Sequence, residues 1–271
     1  MDNHKTIAFI GAGNMAGAII AGLLQNGFSN DHIIACSPNI QQREHFKNLA
    51  IRITSDNREA ATQADVIVFG VKPFMLKNVC DELKTIIHQK KQLLISIVAG
   101  IKTSTITEWI HHEYGPIVRT MPNIASAVGA GVTGLFANAH VDEHQKILAE
   151  SLFRSVGTTL WMHDENQLDI ITAISGSGPA YLFYIFEAMQ KAAINLGIDA
   201  DQAKLLVAQT ATGAAKLAME TGESFEQLRH FVTSEKGTTA AAIDIFNAHH
   251  TQDIVKDAIH AALKRAKELS Q

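Results

Sequence analysis

Residues 5–25 constrain the fold more than any other stretch. Lys5 and Thr6 lead into Ile7-Ala8-Phe9-Ile10, apolar on both faces as a strand buried in a parallel sheet must be. After Gly11-Ala12-Gly13-Asn14-Met15-Ala16-Gly17, apolar residues recur at helical spacing: Met15, Ile19, Ile20, Leu23 and Leu24. The connection reads G-x-G-x-x-A, the pattern of a turn that receives the pyrophosphate of a dinucleotide. Gly11 lets the chain leave the strand tightly. Gly13 has no Cβ, so a phosphate can approach the backbone. Ala16 is small enough for the helix to pack close to the strand. The free N–H groups and positive end of the helix then face the phosphates. The same pattern also suits a tight strand-to-helix turn that binds nothing; the flanking strand and helix favour the dinucleotide reading.

One competing reading of this stretch is a signal peptide or membrane span, because residues 7–24 carry few charges. The glycines at 11, 13, 17 and 22, Asn14 within the run, Asp2 before it and the lack of a basic leader favour strand, turn and helix. No other stretch approaches a span, so a soluble cytoplasmic protein is expected. With 271 residues, 46% hydrophobic and 18% charged, the chain can bury a sizeable core in one large domain or two. A net charge of -4 gives no reason to expect nucleic acid or an anionic membrane as partner. Cys36 and Cys80 fit no metal-ligand spacing and suit a reducing compartment as buried thiols. The histidines are scattered, with surface pairs expected at His111-His112 and His249-His250, and no metal site is expected.

Residues 32–36 read as a second strand, and its end bears on the choice of cofactor. An NAD site wants an acid there to hold the ribose 2′-hydroxyl. This strand instead runs into Cys36-Ser37-Pro38-Asn39, with Arg43 one helical turn further on. Ser37, Asn39 and Arg43 suit a 2′-phosphate, so NADPH is favoured while NADH stays possible. The bland reading of Ser37-Pro38-Asn39 is a turn that caps the next helix, and both can hold together. Further strands are expected at 51–53, 66–70, 93–97 and 117–120, with helices from Asn57, from Pro73 and over 103–112. Val71-Lys72-Pro73 and Met121-Pro122-Asn123 follow two of these strands, at the carboxyl ends where open α/β sheets bind ligands. Two more strand-like pieces around a helix at 142–155 complete the sheet's edge. The alternation predicts a doubly wound parallel sheet over 1–162.

From about residue 163 no strand pattern remains, and residues 163–271 read as an all-helical domain with long helices at 201–220 and 251–269. The helix at 181–195 is apolar on most faces, which a small domain has difficulty burying alone, so dimerisation through the helical half is expected. Ser175-Gly176-Ser177-Gly178-Pro179-Ala180-Tyr181 reads as a flexible, hydroxyl-rich turn before a helix. Thr233-Ser234-Glu235-Lys236-Gly237-Thr238-Thr239 offers N–H groups, hydroxyls and a helix N-terminus, which together suit a carboxylate. Both stretches could equally be plain helix caps.

Taken together, these stretches resemble the pyrroline-5-carboxylate reductase family over nearly the whole chain. The resemblance rests on Ile10-Gly11-Ala12-Gly13-Asn14-Met15-Ala16, Val71-Lys72-Pro73, Arg119-Thr120-Met121-Pro122-Asn123 and Ile174 to Tyr181. It implies a Rossmann domain followed by a helical domain interlocked with its twin, in dimers that assemble further in many members. It also implies hydride transfer from NADPH to the C=N carbon of 1-pyrroline-5-carboxylate, giving L-proline. By resemblance, Gly11, Ala12, Gly13, Asn14 and Met15 form the pyrophosphate turn, Ser37 the 2′-phosphate loop, and Asn57 the contact to the adenosine ribose. Val71, Lys72 and Pro73 lie beside the cofactor, and Met121, Pro122 and Asn123 beside the nicotinamide. Ser177, Gly178, Gly237, Thr238 and Thr239 bind substrate, with backbone N–H groups on the carboxylate and Thr239 facing the ring nitrogen.

This chain departs from the family's usual Ser-Pro-Gly-Gly-Thr-Thr by carrying Glu235-Lys236. The charged pair suggests an earlier helix start or a looser loop, and Lys236 could add a positive charge near the carboxylate. The chemistry needs little else: a cyclic imine can enter protonated, so alignment matters more than a strong acid. Lys72 is the acid candidate; its bland reading is a solvated lysine that touches cofactor or shapes its loop. The alternatives are a reductase of another cyclic imine, a hydroxyacid dehydrogenase of the same plan with Lys191 as its catalytic lysine, or an NADPH-sensing regulator without turnover. A regulator would not need the Ser175–Tyr181 and Gly237–Thr239 stretches.

Overall fold

The computed structural model describes residues 5–111, 113 and 115–270; Asp2 and His112 lie outside them. Eight strands form one sheet: β1 (Ile7–Ile10), β2 (Ile33–Cys36), β3 (Arg52–Thr54), β4 (Val66–Phe69), β5 (Leu93–Ser96), β6 (Ile117–Met121), β7 (Gly131–Ala137) and β8 (Gly157–Trp161). Their spatial order is β3-β2-β1-β4-β5-β6-β7-β8. The first six run parallel, with Ile7 opposite both Ile33 and Val66. β7 turns back antiparallel to β6, Thr120 facing Leu135, and β8 runs parallel to β7. The chain winds outward from β1 to β3, then crosses back to place β4 on the other side of β1, which opens a crevice at their carboxyl ends.

The pleat of β1 explains its all-apolar sequence. Ile7 and Phe9 point into one core layer with Ile19, Leu23, Phe46 and Phe153. Ala8 and Ile10 point into the other with Phe69, Leu76, Leu83 and Ile106. Each fully buried side chain of this size contributes roughly 1.5–3 kcal/mol, so both layers are needed to hold the sheet. The covering helices are α1 (Asn14–Gln25), α2 (Ile40–Phe46), α3 (Asn57–Gln63), α4 (Pro73–Lys90), α5 (Thr103–Ile110) and α6 (Glu143–Arg154). α5 stops at Ile110, short of the expected 112, because His111 adopts a left-handed conformation. Cys36 and Cys80 are buried free thiols, each pushed up to about 12, chiefly by burial, and therefore inert at neutral pH.

The Ser175–Tyr181 stretch is not the flexible turn its sequence suggests. α7 (Gln167–Ile171) continues into a π-helical turn, Thr172–Gly176, and α8 (Gly178–Asn195) begins after Ser177. The wide turn is closed by Ser177 N–H donating to Thr172 O at 2.9 Å, and Ser175 Oγ donates to Ile171 O. In an α-helix the carbonyl of Ser175 would accept from residue 179, which has no N–H. The side chain of Asn123 takes that place, donating to Ser175 O at 3.1 Å.

Contacts divide the chain into residues 1–177 with 262–271, and residues 178–261. The boundary read from sequence, 162/163, follows β8. The contact boundary comes later because α7 packs on β6 and β7. The second unit contains α8, α9 (Ala200–Thr221), α10 (Phe225–Phe231), α11 (Thr238–Ala248) and the start of α12 (Thr251–Leu269). Asp199 caps α9 through Asp201 N and Gln202 N, and Ser224 with Gln227 forms a capping box on α10. Among the described residues of this unit only Ala203 and Val207 are buried apolar side chains; Leu182, Phe183, Tyr184 (73% exposed), Leu205, Phe225 and Phe231 are exposed. No described helix is long and apolar enough to cross a membrane. Among the described residues no His, Cys, Asp or Glu group could hold a metal ion.

Candidate active site

At the crevice, Gly11 takes φ +88, and a Cβ there would lie 2.6 Å from Val71 Cγ1 and 2.7 Å from Val71 N. The N–H groups of Gly11 and Ala12 both donate to Cys36 O at 2.9 Å, which ties the turn to the end of β2. α1 then begins at Asn14 with Gly13 as its N-cap, no capping side chain and no acid in the first turn. The first-turn N–H groups of a helix have no intrahelical partner, so this end is suited to phosphate. A groove of about 570 Å³ opens beside it, lined by Ala12, Gly13, Asn14, Asn39, Gln42 and Phe46 among others. These features fit a dinucleotide: backbone approach at Gly13 is open, a Cβ there meeting only Gln42 Nε2, at 3.7 Å, and Gly11 O, at 4.0 Å.

The end of β2 is more committed than its sequence suggests. Ser37 is 2% exposed; its Oγ donates to Gln42 Oε1 at 2.6 Å and accepts from Asn39 N at 3.1 Å. Asn39 Oδ1 accepts from Gln41 N and Gln42 N, so the helix-cap reading of this loop is what the geometry shows. Arg43 Nη1 donates to Ser37 O at 2.7 Å, which brings a guanidinium to the loop. Behind it, Asn57 at the start of α3 accepts from Cys36 Sγ and donates to Glu82 Oε2 at 2.9 Å. The charges of Asp56, Glu82 and Glu59 add to burial in pushing up the Cys36 thiol, so acids stand behind the loop.

At the end of β4, Val71 abuts Gly11, Lys72 is the exposed N-cap residue of α4, and Pro73 opens that helix where a missing N–H is harmless. Lys72 has no built acid-catalyst environment in the Rossmann unit, being exposed. At the end of β6 the structure joins two stretches that lie apart in sequence. A Cβ at Gly176 would lie 2.8 Å from Met121 Cε, so the missing side chain makes room for Met121. Asn123, 8% exposed, donates to Ser175 O and accepts from Val132 N at 3.3 Å. Its side chain therefore shapes the loop, while Pro122 sits between Met121 and Asn123 as a buried residue.

Sequence reasoning named Arg119 only as part of a family motif and missed its partners beneath this loop. Arg119, 3% exposed, lies 3.4 Å from Glu165 Oε1 and 3.5 Å from Asp169 Oδ1. Glu165 also accepts from Thr103 N at 2.7 Å and Thr103 Oγ1 at 3.0 Å, and Asp169 accepts from Ser270 Oγ at 2.9 Å. An arginine inside an apolar strand run was the available signal, because buried charge requires partners.

In the helical unit, Gly237 is the N-cap of α11, which has no acid in its first turn. Thr238 is exposed and Thr239 half-buried. Glu235-Lys236 form a turn closed by Gly237 N–H donating to Ser234 O at 3.1 Å. The helix does not start early: the charged pair is accommodated by Lys236 at φ +56, a conformation that costs a side chain roughly 1–2 kcal/mol and glycine nothing comparable. Ser177 belongs to the Rossmann unit and Gly178 opens the helical one. Lys191, needed free by the hydroxyacid dehydrogenase reading, is exposed and hydrogen-bonded to Glu187, which pushes its ammonium up.

A doubly wound sheet with a glycine turn at its switch point, an open helix N-terminus and a helical second unit defines a dinucleotide-dependent oxidoreductase. Residues 165–269 match the family model of pyrroline-5-carboxylate reductase dimerisation, and residues 6–100 match that of NADP oxidoreductase, coenzyme F420-dependent. The chain is 45% identical over 270 residues to pyrroline-5-carboxylate reductase of Vibrio alginolyticus, covering 99% of this chain and 98% of that one. Among solved structures, a pyrroline-5-carboxylate reductase from Coxiella burnetii superposes with TM-score 0.93 at 46% identity, covering 98% and 99% of the two chains. The Plasmodium falciparum pyrroline carboxylate reductase, solved with NADP bound, gives 0.89 at 28% identity over 99% of both. The chain belongs to the pyrroline-5-carboxylate reductase family.

Proposed function

We propose that this chain reduces 1-pyrroline-5-carboxylate to L-proline, with NADPH as the preferred hydride donor. The observation that carries the reading is the open, uncapped N-terminus of α1 behind Gly11 and Gly13, in a chain whose family is defined by this reduction. The bound nicotinamide supplies the hydride. Gly11, Ala12, Gly13, Asn14 and Met15 hold the pyrophosphate by backbone N–H groups and helix charge. Val71, Lys72 and Pro73 flank it from β4, and Met121, Pro122 and Asn123 flank it from β6. Ser37 and Asn57, their side chains held by Gln42, Cys36 and Glu82, shape the loop that cradles the adenosine ribose, and Arg43 brings its guanidinium there. Arg43 is the cation that supports a 2′-phosphate, and the lack of an acid at residues 37–39 supports NADPH over NADH.

In the helical unit, the N–H groups at the start of α11, from Gly237 through Thr239, take the substrate carboxylate. Ser177 and Gly178 contribute to substrate binding. Thr239 Oγ1 faces the ring nitrogen and is the proposed catalytic hydroxyl. Lys72 acts through the cofactor rather than as the acid. The exposed apolar faces of α8 to α12 and the dimerisation match support a homodimer through this unit. The compartment in this reading is the cytosol, and the free thiols support it.

The test is loss of NADPH absorbance with 1-pyrroline-5-carboxylate, with NADH in parallel. Proline-producing turnover faster with NADPH is expected. Turnover faster with NADH would overturn the cofactor reading, and intact NADPH in the presence of bound imine would overturn the reaction. Thr239→Val keeps the side chain's shape and removes its hydroxyl. It should lower kcat/KM for the imine about ten- to a hundredfold, with NADPH affinity unchanged. An unchanged kcat/KM would remove Thr239 from the chemistry.

A further inference from the structure

We infer that Gln42 is a specificity-determining residue of the cofactor site, reading what the adenosine ribose carries at its 2′ position. This rests on the dinucleotide reading above and deepens it. The side chain of Gln42 leaves the first turn of α2 and spans the gap between the two loops that bracket the ribose end of the site. On one side its Oε1 accepts from Ser37 Oγ at 2.6 Å. On the other its Nε2 stands 3.7 Å from where a Gly13 Cβ would be, over the pyrophosphate turn.

The oxygens around it are already used. The Ser37 hydroxyl is buried and holds both Gln42 and Asn39 N, and the Asn39 carbonyl oxygen caps α2. Arg43 spends one nitrogen on Ser37 O. Among the described residues the Nε2 amide of Gln42 donates to nothing, yet it lines the groove with Gly13 and Asn14. Gln42 therefore brings an uncommitted donor to the end of β2, with the Asn39 amide and the Arg43 guanidinium beside it, and of the three it alone also reaches the pyrophosphate turn. A donor amide suits a phosphate ester, which only accepts; a carboxylate in the same place would accept from a hydroxyl and repel a phosphate. The chain thus lacks the acid of an NAD site at the strand end and presents an amide at the position from which an acid could act.

The experiment uses the full-length protein and two substitutions, Gln42→Glu and the uncharged, similarly long Gln42→Met. Dissociation constants for NADPH and NADH are read by fluorescence titration, and kcat/KM for each is read with the imine. Gln42→Glu should weaken NADPH about ten- to a hundredfold while NADH changes less than about threefold. Gln42→Met should weaken NADPH in the same sense by about three- to tenfold, with a normal melting curve. A wild-type NADPH-to-NADH ratio retained within about twofold in both variants would overturn the inference, even if wild type prefers NADPH. A wild type that binds NADH at least as well would overturn the cofactor preference instead, and the shift of the ratio in Gln42→Glu still decides the role of Gln42.

Discussion

Replacing Arg119 by alanine should destabilise the protein by about 3–5 kcal/mol, a large part of the roughly 5–15 kcal/mol that holds a typical domain folded. The guanidinium sits 3.4 and 3.5 Å from two carboxylates that are themselves nearly sealed from water. Removing one partner of a buried cluster leaves the other charges uncompensated, which costs more than the pair contributed. Asp169 keeps the Ser270 hydroxyl and Glu165 keeps Thr103, but neither neutralises a carboxylate. Urea unfolding should show a lowered midpoint with an unchanged slope. Adding Glu165→Gln and Asp169→Asn to the alanine variant should restore much of the loss, because the stranded charges are then gone. A single-variant loss below about 1 kcal/mol would mean that water reaches the cluster.

Gly11→Ala should both destabilise the fold and empty the cofactor site. The backbone there is left-handed, costing an L side chain roughly 1–2 kcal/mol, and overpacking adds about 1–3. The colliding atoms include Val71 N and the carbonyl carbon of Gly70, backbone that can yield only if the ends of β1 and β4 separate. That separation would misplace the N–H groups that meet the pyrophosphate. NADPH affinity should fall by at least about a hundredfold, read by fluorescence titration. Gly17→Ala is the internal control. Its Cβ would meet only the Phe46 ring, at 3.6 Å, so this change at the end of the first turn of α1 should raise stability by about 0.5 kcal/mol. Equal losses in the two variants would refute the steric argument.

The sheet was legible because each strand is buried on both faces, and continuous apolar runs such as Val66–Phe69 have no other simple explanation. The glycine turn was legible because its constraint is local: a positive φ and a close approach both demand Gly11. Ser175–Tyr181 was misread because Gly, Ser and Pro are local turn signals, whereas the π turn is met by Asn123 reaching it from the loop after β6. Ser37 shows a related limit. Its residue type suits a phosphate, but whether its hydroxyl is free depends on Gln42, five residues away. The Arg119 cluster draws on β6, α5, α7 and Ser270, so no window along the sequence contains it.

The path of α12 has a consequence for how the protein is made. Residues 262–271 belong with the sheet, although the whole helical unit lies between them and Ser177 in the sequence. A ribosome adds roughly 5–20 residues per second, and N-terminal units ordinarily fold as they emerge. Here the nascent sheet can form its strands early, but Asp169 waits for Ser270 until the intervening helices have been synthesised. Throughout that interval the apolar faces of α8 to α11 are in the open as well. Completion of the nucleotide-binding half and exposure of the sticky half therefore overlap in time, which makes this nascent chain a natural client for chaperones.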